Sequence, residues 1–528
     1  MPASSAALNV SSRLAWNTAT KWLSSLLAAV VAIYLVRYQR LELGQEGFGA
    51  VSLLTWIVVV MLLCDGGLRA ALGRHVAEQI ALGNHQRLNE LFNSSLAFVL
   101  AIGAVLAVVC LVAAEPLVEA MNFAPSQRAD AIVLVRYFVS ASVMLSFVAP
   151  TFGALIEAYH RFDVVDFAHL AEVLLRLVLM VLAIGVMNWG IYGWAFALLV
   201  AQVVLTVINV AAAFRVCPAL ALRPRYVRRD AIAQTISLGG LVFLYQSAIK
   251  INDLTDPAVI SRFLSSNGQG FYRPAQMAVT SAYPFVAGLS RQMKPLIAAY
   301  DAQGEGAAIR EVLLRGTRLT ILLSTPFCVM LTCFAFPIVR VWLVGDNEPT
   351  AWVLMTLALA DVSTHVRETQ GFVMTGLNRV RFITIVQLIG GLLSVIAGVV
   401  CTWWLYHRGW GYYSIIGVAM PAVVAGWTQT LVISVYVGNA TGLGAGRYLL
   451  EGFSRPLIVL VLASCGGLAL NYLVSPDTLA SLIACTAIMG VICAALGWTI
   501  GFDAVDRARV QGLLNRFARR VRAIPPTD

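Results

Sequence analysis

Long, unbroken apolar runs restrict this chain more than any other feature. Stretches of roughly 20 apolar residues, the length of a helix across a bilayer core, recur from Leu14–Val36 to Thr478–Gly501. There are about fourteen of them at that length. Backbone amides in lipid must be satisfied within their own segment, so such runs can only be helices. A transmembrane β-barrel would alternate polar and apolar residues and give weak hydropathy. The composition agrees: 59% hydrophobic residues, 12% charged, and a mean hydropathy of +0.80, too little polar material to clothe a soluble core. The expected fold is an all-α polytopic membrane protein. The start is polar, and the first run is followed by Arg37 and Arg40 and not by small residues, so no cleavable signal peptide is expected.

The net charge of +10 would suggest nucleic acid in a soluble protein. Here it reads as topogenic, with no nucleic-acid partner. With the N-terminus placed inside, 27 of the 37 Lys and Arg fall in cytoplasmic segments and 8 in external ones, while Lys250 and Arg367 lie within spans. The positive-inside rule then puts both termini in the cytoplasm and makes the number of spans even. The nine cysteines form no C-x-x-C pair and sit mostly inside apolar runs, as small core hydrophobes. No metal motif and no Walker A sequence occur, so neither a cofactor nor ATP hydrolysis is expected.

Polar loops repeat at a nearly constant offset, in the same order. Gly47 in Gly44-Gln45-Glu46-Gly47-Phe48 matches Gly270 in Gly268-Gln269-Gly270-Phe271, 223 residues on. Phe152–Phe162 (FGALIEAYHRF) matches Phe372–Phe382 (FVMTGLNRVRF) at 220, and the stretch from Arg74 matches that from Arg291 at 217. Loops carry such a signal better than apolar helices, which align by chance. The expectation is two parallel six-helix repeats, residues 1–220 and 221–445, followed by two helices in 446–502. The last segment, 503–528, places Val510, Leu513, Leu514, Phe517 and Val521 on one helical face and Arg509, Arg516, Arg519, Arg520 and Arg522 elsewhere, as suits a helix on an anionic leaflet. Repeats in the same orientation imply a central site served by alternating access.

The run RLELGQEGFGAVSLL, the CDGGLRAALGRHVAEQ stretch and the segment TDPAVISRFLSSNGQGFYRPAQM resemble the polysaccharide biosynthesis transporters. These are Wzx-type flippases of the multidrug/oligosaccharidyl-lipid/polysaccharide exporter superfamily, and the likeness covers roughly the first twelve spans. It implies that the chain moves undecaprenyl-diphosphate-linked oligosaccharides across the bacterial inner membrane for O-antigen or exopolysaccharide synthesis. A polymerase and a chain-length regulator would be the implied protein partners.

A diphosphate head crossing lipid must exchange its water for fixed cations. Ionisable groups at membrane depth are costly and therefore informative. The candidate substrate contacts are Lys21, Arg69, Lys250, Arg291 and Arg367, against which stands an ion-paired or snorkelling role for each. Asp253 and Asp256 precede Pro257, where a loosened helix could hold Na⁺ or relay a proton. Lys250 and Asp253, spaced i, i+3, can pair. Asp361, His365 and Glu368 share one face and form a second candidate coupling group, while Glu172 and Arg176 read as a structural i, i+4 pair. Pro150, Pro257, Pro284, Pro326 and Pro421 mark expected kinks. Two other readings remain at this stage. One is a transporter of another cargo, lipid II or a drug. The other is a membrane polymerase or ligase, for which the longest external loop, Ala114 to Asp130, is short.

Overall fold

The computed structural model describes residues 3–65, 67–235, 247, 248, 250–291, 293–343, 345–503, 506–508 and 511, and every regular element among them is helical. Among the described residues, 10 helices are long and apolar enough to cross a membrane, against the fourteen spans expected. Part of the difference lies outside the described residues, since the expected seventh span, Ile232–Phe263, includes 236–246. The first two expected spans lie in one helix, Ala3–Leu62, that breaks at Gly44. The expected eighth and tenth spans correspond to the short pair Tyr283–Arg291 and Met293–Ala302 and to Glu348–Gly376, none of which is among the ten, and nor is Ile251–Thr280. The short pair has 9 and 10 residues, too few to cross, while Ile251–Thr280 carries Asp253, Asp256 and Arg273, and Glu348–Gly376 carries Asp361 and Glu368. Charge concentrated on a helix lowers its hydropathy below that of a lipid-facing span.

Neither sharp break falls at a proline. Pro150, Pro257, Pro326 and Pro421 lie inside helices, whereas the backbone turns non-helical at Gly44 (φ 68°, ψ −177°) and Ser265 (φ 56°, ψ −170°). Proline keeps a helical φ and loses one amide donor, and a neighbour can fill that loss: Arg40 Nη1 donates to Gly270 O, the carbonyl four residues before Pro274. A positive φ with extended ψ redirects the chain outright. That region belongs essentially to glycine, and a serine in it is strained by about 1–3 kcal/mol.

Left-handed residues recur along the chain. Gly44 and Ser265, Gly83 and Gly304, Asn188 and Gly409, and Gly190 and Gly411 all have positive φ, each pair 221 residues apart. Asn122 and Gly345 follow at 223, and His160 and Asn378 at 218. After the Asn188–Gly190 turn, a Cβ on Gly193 would lie 2.9 Å from the Ala183 carbonyl carbon; after the Gly409–Gly411 turn, one on Gly417 would lie 2.7 Å from Thr402 Cα. Both helical hairpins therefore close backbone on backbone, as small residues permit in membranes.

The contacts divide the chain into two units, Met1–Met277 with Gln387–Ala422, and Ala278–Val386 with Val423–Asp528. The first has a core of Leu72, Leu88, Phe92, Phe152, Leu155 and Cys217, with the Phe92 and Phe152 rings edge to face at 5.1 Å. Its Arg-rich loop is stitched to helix His85–Val112. Asn89 Nδ2 donates to Ala219 O, Asn93 Nδ2 to Ala221 O, both at 2.9 Å, and the Arg228 amide to Ser94 Oγ at 2.8 Å. Arg87 donates to Asp230 at 2.8 Å and holds that carboxyl below the usual carboxylate range. The second unit packs Val329, Cys333, Phe334, Ala463, Cys485, Met489 and Cys493 together. Six of the nine cysteines are buried and all are free thiols, in keeping with their reading as core hydrophobes.

Candidate functional site

In the first unit, helix Ile251–Thr280 folds back at Ser265 and brings its two arms together. Asp256 is 5% exposed and accepts the Tyr272 hydroxyl at 2.7 Å. Asp253 Oδ1 accepts from Gln276 Nε2 at 3.4 Å, and Gln276 Oε1 accepts from Arg273 Nη1 at 2.7 Å. Lys250 is exposed, and no ion pair joins it to Asp253 among the described residues, contrary to the expected i, i+3 pair. The loosening expected just before Pro257 lies instead at Ser265, eight or nine residues further along the helix. Tyr272 and Gln276 were not legible as partners of the two carboxylates, because their approach depends on where the helix reverses.

The same reversal builds a contact between the two repeated hairpins. Arg40, 7% exposed, donates to the Gly270 carbonyl and, at 2.8 Å, to Gln45 Oε1, with its guanidinium 6.0 Å from the Phe271 ring centre. Asn267 Nδ2 donates to Glu46 at 3.2 Å, and Ser126 Oγ donates to the same carboxylate at 2.7 Å. Backbone meets backbone here too: a Cβ on Gly49 would run into the Ser266 carbonyl oxygen, and one on Gly270 would lie 2.9 Å from Gln45 O. Arg40 had been counted only as a loop cation. The repeated glycines around it were the available signal.

In the second unit, helix Glu348–Gly376 presents the other candidates. His365, 1% exposed, has Nε2 3.0 Å from Asp361 Oδ2. Tyr283 stacks on the His365 ring at 5.7 Å and donates its hydroxyl to Glu368 Oε1 at 2.8 Å. One helical face thus carries carboxylate, imidazole and carboxylate in sequence, tied to a phenol from a neighbouring helix. Arg367 points elsewhere, donating to Gly426 O at 2.6 Å, Ser363 Oγ at 2.9 Å, Thr364 Oγ1 at 3.0 Å and Thr430 Oγ1 at 3.4 Å. These oxygens hold the guanidinium in place. Gly426 allows the approach, since a Cβ there would lie 3.1 Å from Arg367 Nη1.

The remaining candidates are dispersed. Arg69 is exposed and paired with Glu157 at 3.1 Å. Lys21 and Arg291 lie in helices, but their side chains fall outside the described residues. Glu172 and Arg176 approach to 3.5 Å, with His169 at 3.3 Å from the same carboxylate. Among the described residues no cluster of His, Cys, Asp and Glu could hold a metal ion.

Comparison with known proteins places this geometry in a lineage. Residues 12–297, more than half of the chain, match the family model described as polysaccharide biosynthesis protein. No curated protein matches the sequence. Among solved structures, an inward-facing multidrug resistance MATE family transporter of the MOP superfamily superposes with a TM-score of 0.67 at 16% identity, covering 79% of this chain and 95% of that one. The lipid II flippase MurJ in an inward closed conformation gives 0.66 at 13% identity, with 92% and 98% covered. An outward-facing MATE family transporter of the MOP superfamily gives 0.62 at 15% identity, with 81% and 95% covered. At these identities the likeness is one of fold, and the family model supplies the membership. The chain belongs to the polysaccharide biosynthesis protein family and has the all-helical fold of the MOP-superfamily transporters.

Proposed function

We propose that the protein is a flippase that carries undecaprenyl-diphosphate-linked oligosaccharide units from the cytoplasmic to the outer leaflet of a bacterial inner membrane. The observation that carries the reading is the family match to polysaccharide biosynthesis on a transporter fold. A fold neighbour titled a lipid II flippase supports a cargo of the same kind, a polyprenyl diphosphate bearing sugars. Lipid II itself is the second reading, favoured by that neighbour's coverage of 92% of the chain. Both termini are cytoplasmic in this proposal. The recurrence of left-handed residues at 221 supports two parallel repeats over 1–220 and 221–445, with alternating access between them.

In this proposal the cations Lys21, Arg69, Lys250, Arg291 and Arg367 serve the diphosphate. Arg367 is the best held of the described cations, because hydrogen bonds to Gly426 O, Ser363 Oγ and Thr364 Oγ1 keep its fork in place. Asp253 and Asp256, and separately Asp361, His365 and Glu368, take up the coupling cation or proton. The phenols of Tyr272 and Tyr283, each bonded to a carboxylate, extend these two groups. A polymerase that consumes the flipped unit would be the next enzyme.

The test is purified protein in liposomes with a fluorescent polyprenyl-diphosphate oligosaccharide, its leaflet read by a membrane-impermeant quencher. The wild type should flip it. Arg367→Ala should slow flipping by about tenfold, the effect of losing one charge-assisted contact, and Arg367→Lys by less. A rate equal to that of empty liposomes would sink the function. Normal flipping in both Lys250→Ala and Arg367→Ala would remove these two cations from the substrate path.

A further inference from the structure

The ends of helices Phe162–Met180 and Gly190–Val216 enclose an open groove of about 730 Å³ lined in part by Tyr159, Arg161, Val164, Ile208, Arg215 and Val216. We propose that this groove binds an anionic glycerophospholipid of the cytoplasmic leaflet, with the phosphate between Arg161 and Arg215 and an acyl chain along Val164, Ile208 and Val216. The leaflet rests on the topology proposed above. The site itself rests on the groove.

Its two ends differ in chemistry. The mouth holds two guanidiniums, and the wall is aliphatic. Phe162, Val207 and Phe214 beside it are 42%, 60% and 40% exposed, which on a membrane helix means contact with acyl chains. A groove with an aliphatic wall and two Arg at its mouth has the composition of a phospholipid site. Its floor is rigid, because Tyr159, Val164 and Val216 pack against the buried cluster of Leu155, Ile156 and Cys217. The Tyr159 hydroxyl is already turned to Cys217 Sγ at 3.2 Å.

Charge selects the occupant. Arg161 gives Nε and Nη2 to the two oxygens of Asp163, at 3.0 and 3.2 Å, which leaves Nη1 to donate outward. Arg215 is exposed and makes no ion pair among the described residues. Arg161, Asp163 and Arg215 together leave the mouth with a single net positive charge. That balances a singly charged phosphodiester, whereas a diphosphate would keep uncompensated charge against Asp163. Phosphatidylglycerol therefore suits the mouth better than the lipid-linked cargo does.

The test uses delipidated full-length protein in detergent, re-exposed in parallel to dioleoyl-phosphatidylglycerol, dioleoyl-phosphatidylethanolamine or undecaprenyl diphosphate, with bound lipid counted by mass spectrometry. Phosphatidylglycerol should be retained over phosphatidylethanolamine by about fivefold, the scale of a charge-assisted contact. Arg161→Gln with Arg215→Gln should abolish that preference, and Ala211→Phe, which fills the groove from its exposed rim, should lower retention similarly. Arg223→Gln with Arg225→Gln removes the same charge from the adjoining loop, outside the groove, and should change nothing. Equal loss in both double variants would overturn the site in favour of diffuse surface charge. Preferred retention of undecaprenyl diphosphate would overturn the choice of occupant. A reporter fused after Arg229 that signals from outside would overturn the leaflet, independently of the lipid count.

Discussion

The hairpin at Gly44 and the hairpin at Ser265 reverse the chain with almost the same dihedral angles, φ 68° against 56° and ψ −177° against −170°. One uses the residue suited to that region and the other does not. Gly44 has no atom within 4 Å of where a Cβ would stand, so glycine there answers to backbone conformation alone. Ser265 carries a Cβ into a conformation that costs about 1–3 kcal/mol, and the return visible at the residue itself is small: its hydroxyl accepts the Asn267 amide at 3.4 Å. The strain must be held by what surrounds it. Asp256 with Tyr272 and Gln269 with Pro257 O clamp the two arms, and Ser266 Oγ takes the Ala124 amide at 3.0 Å. The first hairpin needs no support at its turning residue, and the second is kept in shape by contacts that join it to the carboxylates of the proposed coupling group.

Substitutions can break that contrast. The largest effect belongs to Gly49→Leu, whose side chain cannot enter beside the Ser266 carbonyl. It should separate the hairpins and cut flipping by more than about tenfold, the scale on which a mispositioned site loses rate, with protein abundance in the membrane as the control. Arg40→Ala comes next. It strands the Gly270 carbonyl and Gln45 Oε1 in a buried place and should lower stability by about 1–3 kcal/mol, measured as a reduced thermal unfolding midpoint, with Arg40→Lys in between. The smallest and most informative is the exchange at the turns. Gly44→Ala should destabilise by about 1–3 kcal/mol, while Ser265→Gly should stabilise by less than about 1 kcal/mol, because glycine gives back part of the relief as backbone entropy. A destabilised Ser265→Gly would mean that the hydroxyl matters more than the backbone.

Much of this was legible in the sequence because lipid permits so little. Apolar runs of bilayer length have one solution, so the all-helical fold and most helix positions followed directly. The turns were visible because a reversal of direction needs glycine, asparagine or a rare exception, and those residues stand out between apolar helices. Ser265 is such an exception, and it reads as an ordinary helix residue, so the break was placed at Pro257. From that one displacement came the rest of the error in the α-helical hairpin: Tyr272 and Gln276 lie 16 and 23 residues from the carboxylates they bond, and only the position of the turn brings them close. Arg367 shows a second limit. Its place within an apolar run was readable, but the carbonyl of Gly426, 59 residues away, was not, since a backbone oxygen leaves no mark on composition. Residues i, i+4 apart on one helix, such as Asp361 and His365, were found because helical geometry alone places them together.

The close helical pairs at Gly193 and Gly417 bear on how such a chain enters the membrane. Each pair is joined by a turn whose positive-φ residues are local, Asn188 with Gly190 and Gly409 with Gly411, and each is packed backbone to backbone with almost nothing between. Neither needs a distant part of the chain to complete it. During biosynthesis the two halves of each pair can therefore leave the translocation channel together, already docked, and present to the growing protein a finished two-helix block. Bulk at either glycine would be felt first there, as slow or inverted insertion of a hairpin, before any folded transporter existed to be destabilised.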